Sequence, residues 1–156
     1  AKWGVDFLKY DNCFSACVDP KVRYERMSRA LKATGRSIYY ALCEWGVQEP
    51  WEWAPDIANS WRTTPDIADS WGSVTQNLMR NEETYPYAGP GHFNDPDMLE
   101  VGNGGLSDEE ARSHFSLWAI MKAPLLIGAD VTQLTPEAKA ILLNEEVIAV
   151  NQDKLG

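Results

Sequence analysis

The chain has 156 residues and a hydrophobic content of 44%, which fit one globular domain with an apolar core. Its formal net charge of -9 argues against a nucleic-acid or anionic-membrane partner, because both partners require a basic surface. No run of about 18 apolar residues occurs, so the sequence predicts no membrane span.

The chain begins with AKWGVDF, which has neither an initiator methionine nor the basic-then-apolar pattern of a signal peptide. We therefore expect residues 1–156 to be a piece of a longer chain. The cysteines are odd in number and lack the paired spacing of a zinc site, so at least one thiol is free or pairs outside this sequence. They are Cys13, Cys17 and Cys43.

Five segments have the length and composition of β-strands. Four of them are apolar and the third is more polar. In chain order they are VDFLKY (5–10), SIYYAL (37–42), SWRTT (60–64), HFND (92–95) and PLLIG (124–128).

Helical signals fill the gaps between these segments. Asp19 followed by Pro20 predicts the start of a helix that ends before Gly35. Because strands and helices alternate at intervals of roughly 20 to 35 residues, the predicted class is α/β with a parallel sheet. Further helices are predicted around Val74 and Leu78, after the capping box of Ser107 and Glu110, and from Thr135 onward.

Polar side chains directly follow each predicted strand. In a β/α barrel all strand carboxyl ends open onto one face, so these side chains would meet in one pocket. A doubly wound sheet is the alternative, but it usually has a Gly-rich phosphate turn, and neither GxGxxG nor a P-loop occurs. A barrel is favoured, although five strands cannot close a barrel of eight. The side chains are Asp11, Glu44, Arg62, Asp66, Asp95, Asp97 and Asp130.

Lys9 and Asp11 lie two residues apart at the end of the first strand, so they share one face of the sheet. If Val5 and Phe7 fill the barrel interior, Lys9 and Asp11 point into the mouth of the barrel. A neighbouring ammonium group should keep Asp11 ionised, as a carboxylate nucleophile requires. A structural ion pair is the alternative, and it is the more frequent explanation of an isolated K-x-D.

Arg62 and Asp66 lie on either side of Pro65 in SWRTTPDI, which predicts a loop at the pocket rim. A solvated loop without function is the alternative. Two carboxyl groups at the ends of different strands, one ionised and one protonated, are the minimum machinery of a glycosidase. A separation of about 5 to 5.5 Å implies retention of anomeric configuration, and about 6.5 to 9.5 Å implies inversion.

Seven tryptophans occur, and five of them crowd one third of the chain. Aromatic faces suit the C–H faces of sugars, and core packing is the alternative. Trp45 at a strand end fits either interpretation, whereas Trp118 on a helical apolar stripe is predicted in the core. His92, Asp95 and Asp97 form a poor ligand set, so we predict an acidic loop there, no metal site and no cofactor.

Six motifs occur in a characteristic order: VDFLKYDNC, ALCEWG, WRTTPDI, FNDPDMLEVGN, LWAIMKAPLLIGAD and VIAVNQD. Together they resemble the α-galactosidases of family 27 of the glycoside hydrolases. The resemblance covers essentially the whole chain and implies a catalytic TIM barrel. Residues 1–156 would be its carboxyl-terminal portion, with the fourth to eighth β/α units and no second domain. The first three strands and the β-domain that usually follows NQD have no counterpart.

The resemblance implies a double displacement with retention, in which Asp11 is the nucleophile and Asp66 the acid/base. It also implies a set of side chains that bind the sugar. Lys9 and Arg62 would hydrogen-bond galactose hydroxyls, Cys43, Glu44 and Trp45 would line the pocket near the C2 substituent, and Asp97 and Met98 would complete its wall.

This sequence departs from the family in several features. Cys13 would pair with a cysteine on the preceding strand, which is missing here, as is the aspartate pair that binds the galactose C4 and C6 hydroxyls. Pro65 stands where the family has glycine, and it stiffens the loop that holds Asp66. The resemblance also implies a secreted, lysosomal or vacuolar location, and it leaves the oligomeric state open.

The implied reaction removes terminal α-galactosyl residues from oligosaccharides or polysaccharides. Within the family, a β-L-arabinopyranosidase and an α-N-acetylgalactosaminidase are alternatives. The bulk of Glu44 beside Trp45 favours a plain 2-hydroxyl, because the family's acetamido-sugar enzymes carry small residues there. A further alternative is a catalytically incompetent fragment that at most binds sugar weakly, because an open barrel exposes strand edges and inner apolar faces.

Overall fold

The computed structural model describes residues 1–15 and 17–154. It contains one parallel sheet of four strands: β1 (Phe7–Asp11), β2 (Tyr39–Cys43), β3 (Ser60–Arg62) and β4 (Phe93–Asp95). The strands lie side by side in their order along the chain. This sequential order is that of a β/α barrel and differs from the reversing order of a doubly wound sheet. The predicted α/β class is confirmed, with the sheet of a partial barrel.

Five α-helices occur in the described ranges. They are α1 (Pro20–Lys32), α2 (Trp71–Glu82), α3 (Asp108–Ile120), α4 (Pro136–Leu142) and α5 (Glu145–Asn151). The predicted start signals are confirmed: Asp19 accepts the N–H of Lys21 at 2.8 Å, and Ser107 and Glu110 form the capping box. The sequence did not predict α5. Three short 3-10 turns cover Pro50–Glu52, Ala54–Asp56 and Tyr85–Tyr87.

The strand predicted at residues 124–128 is wrong, because this segment makes only one isolated bridge, between Leu99 and Ile127. Pro124 has no N–H to donate, and its carbonyl accepts the N–H of Leu126 in a γ-turn. Two backbone hydrogen bonds still attach the segment to Leu99, one from Gly128 at 2.9 Å and one to Leu126 at 2.7 Å. The segment therefore lies beside the residues that follow β4 without becoming a strand.

Side chains of the sheet alternate between its two faces. One face packs against α1, where Tyr24 is fully buried. The sheet residues of this core are Leu8, Tyr10, Tyr40, Leu42 and Trp61. The opposite face carries Phe7, which stacks on Tyr39 with ring centroids 5.3 Å apart. Phe7 thus lies on the predicted interior face, but it is exposed, as is Val5, which precedes β1, so neither side chain fills an interior in this structure.

A second core holds α2 to α5 together. Trp118 of α3 is fully buried in it, which confirms the sequence prediction for this residue. Its other buried members are Val74, Leu99, Val101, Ala111, Phe115, Ala123, Ala138, Ile141 and Leu142. Within the described ranges, no helix has both the length and the apolar character needed to cross a membrane.

Candidate active site

The carboxyl ends of the four strands place four side chains in one row across the sheet. Asp11 is paired with Cys43 between β1 and β2, and Arg62 is paired with Asp95 between β3 and β4. The register between β2 and β3 sets Cys43 beside Arg62, one residue beyond the last paired positions. Because the strands are parallel, the row lies at a single edge of the sheet, where a barrel carries its active site.

Asp11 is exposed and ends β1. Its Oδ1 accepts the N–H of Cys13 at 3.1 Å, and the thiols of Cys13 and Cys43 lie near enough to its carboxylate to favour the charged form. Partial burial acts to raise the pKa of Asp11, but the hydrogen bonds outweigh it and hold the pKa below its ordinary value. The lowered pKa is in the direction predicted for Asp11, with hydrogen bonds and not the charge of Lys9 as its main cause.

Lys9 lies two residues before Asp11 on the same face of β1. Its positive charge acts on two buried members of the row, Cys43 and Asp95. Burial has the larger effect on Cys43 and raises the pKa of its thiol to about 12, although the charges of Arg62 and Lys9 oppose the rise. Cys43 is therefore a neutral thiol between Asp11 and Arg62.

Cys13, Cys17 and Cys43 are all free thiols. The disulfide that the resemblance implies for Cys13 requires a cysteine outside this sequence, so it stays a prediction. The hydrogen bond to Asp11 raises the pKa of the Cys13 thiol, and the charges of Asp11 and Asp66 raise it further. The charges of both predicted catalytic carboxyl groups thus act on one thiol.

Arg62 is the buried centre of the row. Its Nη2 lies 2.9 Å from the carboxylate of Asp97 and 3.2 Å from that of Asp66. The same nitrogen donates to the carbonyl of Thr64 at 3.0 Å, and Nη1 donates to the sulfur of Cys43 at 3.8 Å. Arg62 therefore orients the carboxyl groups of Asp66 and Asp97, and the contact with galactose that the resemblance implies for it stays a prediction.

Asp66 follows Pro65 in the loop between β3 and α2, and its side chain is 77% exposed. The loop is held from behind by Asp97, whose Oδ2 accepts the N–H of Ile67 at 2.8 Å. The Oδ1 of Asp97 accepts the N–H of Met98 at 2.9 Å, so both carboxylate oxygens are engaged. Asp97 is also buried, with a φ of 91°. Asp97 therefore holds the Asp66 loop, and its own backbone lies in the positive-φ region that residues other than glycine rarely adopt.

Asp95 is a buried acid at the end of β4. Burial raises its pKa above the ordinary value, although the guanidinium of Arg62 and the N–H of Asp97, which donates to Oδ1 at 2.9 Å, act in the opposite direction. Asp95 was recognised in the sequence as a strand-end group but not as a site residue. Its burial makes it a support for the row.

Glu44 does not line the pocket, and the sequence prediction for it is corrected here. Its side chain is fully buried, and its Oε2 accepts the N–H of Gln48 at 2.8 Å within the loop after β2. Burial raises the pKa of Glu44 to about 7, although the hydrogen bonds from this loop act to lower it. Its Oε1 has no hydrogen-bond partner in the described part of the chain. Glu44 stabilises the loop, so its bulk does not argue for a 2-hydroxyl on the substrate.

Trp45 and Met98 lie at the rim of the row. Trp45 is half-buried with a φ of 61°, and Gly46 follows with a φ of 76°. A Cβ on Gly46 would lie 2.3 Å from the carbonyl oxygen of Thr63, so the loop after β2 packs against the end of β3 only with glycine there. Met98 is exposed. For both side chains, the contact with the sugar that the resemblance implies stays a prediction.

Two further side chains, Trp61 and Asp130, lie outside the row. Trp61 is fully buried on the opposite face of the sheet and donates its indole N–H to Asn94 at 2.8 Å. Asp130 is exposed, and its Oδ1 accepts hydrogen bonds from the backbone and hydroxyl of Thr132 at 2.9 and 2.7 Å. Asp130 therefore caps its own turn, and its expected place in the pocket is not supported by these contacts.

Sequence reasoning missed Asn77, a buried residue of α2. Its side-chain amide donates to the carbonyl of Pro65 at 3.3 Å and to the carbonyl of Pro96 at 3.0 Å. The available signal was a polar residue on the apolar stripe that contains Val74 and Leu78. A buried polar group on such a stripe requires hydrogen-bond partners, and these partners are loop carbonyls.

Two exposed carboxyl groups, Asp11 and Asp66, therefore flank the buried pair of Cys43 and Arg62. Adjacent strands lie about 4.8 Å apart, so the backbones of β1 and β3 are separated by about 10 Å. Side chains that reach inward from this separation can hold a sugar between a nucleophile and a proton donor. Such a pair of carboxyl groups is the arrangement expected of a glycosidase.

The chain belongs to the family described as alpha galactosidase A (Melibiase_2), whose sequence model matches residues 1–153. It is 61% identical to alpha-galactosidase 3 of Arabidopsis thaliana over 156 residues, which are 100% of this chain and 36% of that protein. It is 60% identical to an alpha-galactosidase of Oryza sativa subsp. japonica over 156 residues, which are 100% of this chain and 37% of that protein. The chain thus spans little more than one third of these relatives.

Solved structures have the same fold. An α-galactosidase from Saccharomyces cerevisiae has a TM-score of 0.94 at 38% identity, over 97% of this chain and 40% of that chain. A structure of α-galactosidase from the same yeast with raffinose has a TM-score of 0.88 at 38% identity, over 98% and 40%. A GH27 β-L-arabinopyranosidase from Geobacillus stearothermophilus has a TM-score of 0.87 at 26% identity, over 96% and 38%. These likenesses bear out the predicted resemblance to family 27.

Proposed function

We propose that this chain is the part of a retaining α-galactosidase that supplies both catalytic carboxyl groups. Residues 1–156 would form the carboxyl-terminal portion of its catalytic barrel. The observation that carries the proposal is the row at the strand ends. Asp11 is paired with Cys43 in the register of β1 and β2, and Arg62 connects Cys43 to Asp66. Membership of the alpha galactosidase A family supports the same reaction.

In the proposed reaction, Asp11 attacks the anomeric carbon while Asp66 protonates the leaving oxygen. The glycosidic bond breaks, the aglycone leaves as an alcohol, and a covalent galactosyl ester forms on Asp11. Asp66 then takes a proton from a water molecule that attacks the same carbon, and galactose leaves with its original configuration. The lowered pKa of Asp11 supports its role, because a carboxylate nucleophile must be ionised.

Galactose is the proposed sugar, because the curated relatives at 61% and 60% identity are alpha-galactosidases. The yeast structure with raffinose makes this oligosaccharide a suitable first substrate to assay. We propose that Lys9, Cys43, Trp45 and Met98 face the sugar. The secreted, lysosomal or vacuolar location stays a prediction from the family resemblance.

A β-L-arabinopyranosidase is the second candidate, because one such enzyme shares the fold with a TM-score of 0.87. Its identity of 26% is well below the 61% of the plant alpha-galactosidase, which favours the galactosidase. An α-N-acetylgalactosaminidase is also retained for the assay, since the position of Glu44 removes the argument against it.

The test assays the full-length protein on aryl α-galactosides, β-L-arabinopyranosides and α-N-acetylgalactosaminides. Asp11→Asn and Asp66→Asn should each lower activity by orders of magnitude, and only the Asp66→Asn loss should shrink when the leaving group needs no proton. Asp130→Asn is the matched control, because Asp130 is an exposed aspartate bonded within its own turn. An Asp11→Asn enzyme with normal turnover would remove the mechanism, and preferred cleavage of arabinopyranosides would establish the second candidate.

Residues 1–156 alone are predicted to show little or no turnover. The strand β1 lies at one edge of the sheet, and Lys9 and Asp11 on it are exposed. An exposed strand edge invites pairing with other chains. Assaying residues 1–156 on the same substrates tests the alternative of a fragment that binds sugar weakly. That alternative predicts binding without hydrolysis.

A further inference from the structure

Asn77 connects the two loops that carry Asp66 and Asp97. It lies on α2, and it is 2% exposed. Its amide group donates to the carbonyl of Pro65 at 3.3 Å and to the carbonyl of Pro96 at 3.0 Å. Each proline directly precedes one of the two aspartates, so a single side chain joins both loops at the residue before the acidic group.

The backbone on the other side of Asp66 is held as well. The N–H of Ile67 donates to the Oδ2 of Asp97 at 2.8 Å. The side chain of Asp66, in contrast, is 77% exposed and is fixed by an ion pair with Arg62 at 3.2 Å. The position of the Asp66 carboxyl group therefore depends on Arg62 and also on the loop backbone, which Asn77 and Asp97 hold at the two neighbouring residues.

Pro65 and Pro96 also explain why a side-chain donor is present. Proline carries no N–H, so a loop that contains it has fewer backbone donors for its own carbonyls. The carbonyl of the buried Pro96 requires a hydrogen-bond partner, and the contact at Pro65 is partly buried. The amide of Asn77 donates two hydrogen bonds, one to each proline carbonyl. The hydroxyl of Thr64 donates a second hydrogen bond to the carbonyl of Pro96 at 3.1 Å.

We propose that Asn77 is a positioning residue for proton donation by Asp66. By joining the loop of Asp66 to the loop of Asp97, it sets the place at which the Asp66 carboxyl meets the leaving oxygen. The proposal rests on the proposed function of Asp66 as the acid/base. A general acid must lie within about 2.6 to 3.2 Å of its acceptor, and a displacement of about 1 Å can cost about 100-fold in rate.

The experiment compares Asn77→Leu with Asn81→Leu in the full-length protein. Asn81 is a matched control, because it is a buried asparagine one turn later on α2. It accepts a hydrogen bond from the hydroxyl of Thr63 and donates to the sulfur of Met121, so it holds neither proline carbonyl. Each variant is assayed on a dinitrophenyl α-galactoside, whose leaving group needs no proton, and on raffinose, whose leaving group needs one.

Asn77→Leu should lower kcat/KM on raffinose by about 10- to 100-fold and on the dinitrophenyl substrate by less than about threefold. Asn81→Leu should change both values by similar factors. Equal losses on the two substrates for Asn77→Leu would overturn the proposal. If that variant does not fold, Asn77→Ser, which keeps one donor, is judged by the same ratio between substrates.

Asp66→Asn separates this inference from the function on which it rests. If Asp66→Asn shows no dependence on the leaving group, Asp66 is not the acid and the proposed function fails. If Asp66→Asn shows the dependence and the Asn77 variants do not, only the positioning role fails. Adding Asn77→Leu to Asp66→Asn should cost little more on raffinose, because both changes act on one proton transfer.

Discussion

The guanidinium of Arg62 and the carboxylate of Asp97 form a buried ion pair of 2.9 Å beneath the candidate active site. The oxygen of Asp97 that accepts from Arg62 also accepts the N–H of Ile67. Asp66 lies between Arg62 and Ile67 along the chain. Its backbone is therefore anchored in the interior while its carboxyl group lies at the surface. Because both side chains are buried, the pair is sensitive to the loss of either member.

Asp97→Asn should destabilise the protein by about 3 kcal/mol, because it leaves the buried charge of Arg62 without its nearer carboxylate. The measurement is urea unfolding of the full-length protein. Asp6→Asn is the control, because the ion pair of Asp6 with Arg36 is at the surface and its loss should cost less than about 1 kcal/mol. Similar losses for the two variants would contradict a structural role for the buried pair.

Glu44→Gln should make the stability less dependent on pH. In the native state the pKa of Glu44 is raised from 4.5 to about 7 by burial. Between these values the native state binds more protons than the unfolded chain, so the free energy of unfolding falls as pH rises through this window. Glutamine resembles the protonated acid, so the variant should match the wild type near pH 4.5 and exceed it above pH 7.

The measurement is the difference in free energy of unfolding between Glu44→Gln and the wild type at several pH values. A raised pKa of this size corresponds to a gain of about 2 kcal/mol or more for the variant at high pH. Glu52→Gln is the control, because Glu52 is exposed in the same region. A difference for Glu44→Gln that does not change with pH would show that the buried group does not titrate in this window.

Gly46→Ala should be strongly destabilising and should lower activity through the loop after β2. The residue has a φ of 76°, and an added Cβ would lie 2.3 Å from the carbonyl oxygen of Thr63. Gly35→Ala is the matched control, with a φ of 68° and no atom within 4 Å of the added Cβ. Both variants share the backbone penalty of about 1 kcal/mol, so the excess for Gly46→Ala measures the close packing. Equal losses in thermal unfolding would contradict that packing.

Local sequence signals predicted much of the fold, because the residues of capped helices and apolar strands themselves mark where these elements begin and end. The turn at Pro124 broke the strand predicted at residues 124–128, since a chain without an N–H at that point cannot pair regularly. The helix α5 has seven residues and is held by Val147 and Ile148 against the core. A helix of that length has a weak local signal, because its stability comes from tertiary packing.

The candidate site was predictable only in part. Strand alternation placed Asp11 on the open face, and the motif around Arg62 and Asp66 marked the second carboxyl group. The direction of Glu44 could not be predicted, because it depends on which loop amides curl back to meet its carboxylate. Asn77 was missed for a similar reason, since a residue of α2 gives no local sign of the loop carbonyls that it meets.

Mass spectrometry of a trapped glycosyl-enzyme tests the central claim most directly. The full-length protein would be treated with a 2-deoxy-2-fluoro α-galactoside, whose covalent intermediate hydrolyses slowly, and then digested and sequenced. The account predicts a fluorogalactosyl adduct on the peptide that contains Asp11, and none when Asp11 is replaced by asparagine. An adduct on another carboxylate, or first-formed galactose of inverted configuration without any adduct, would contradict it.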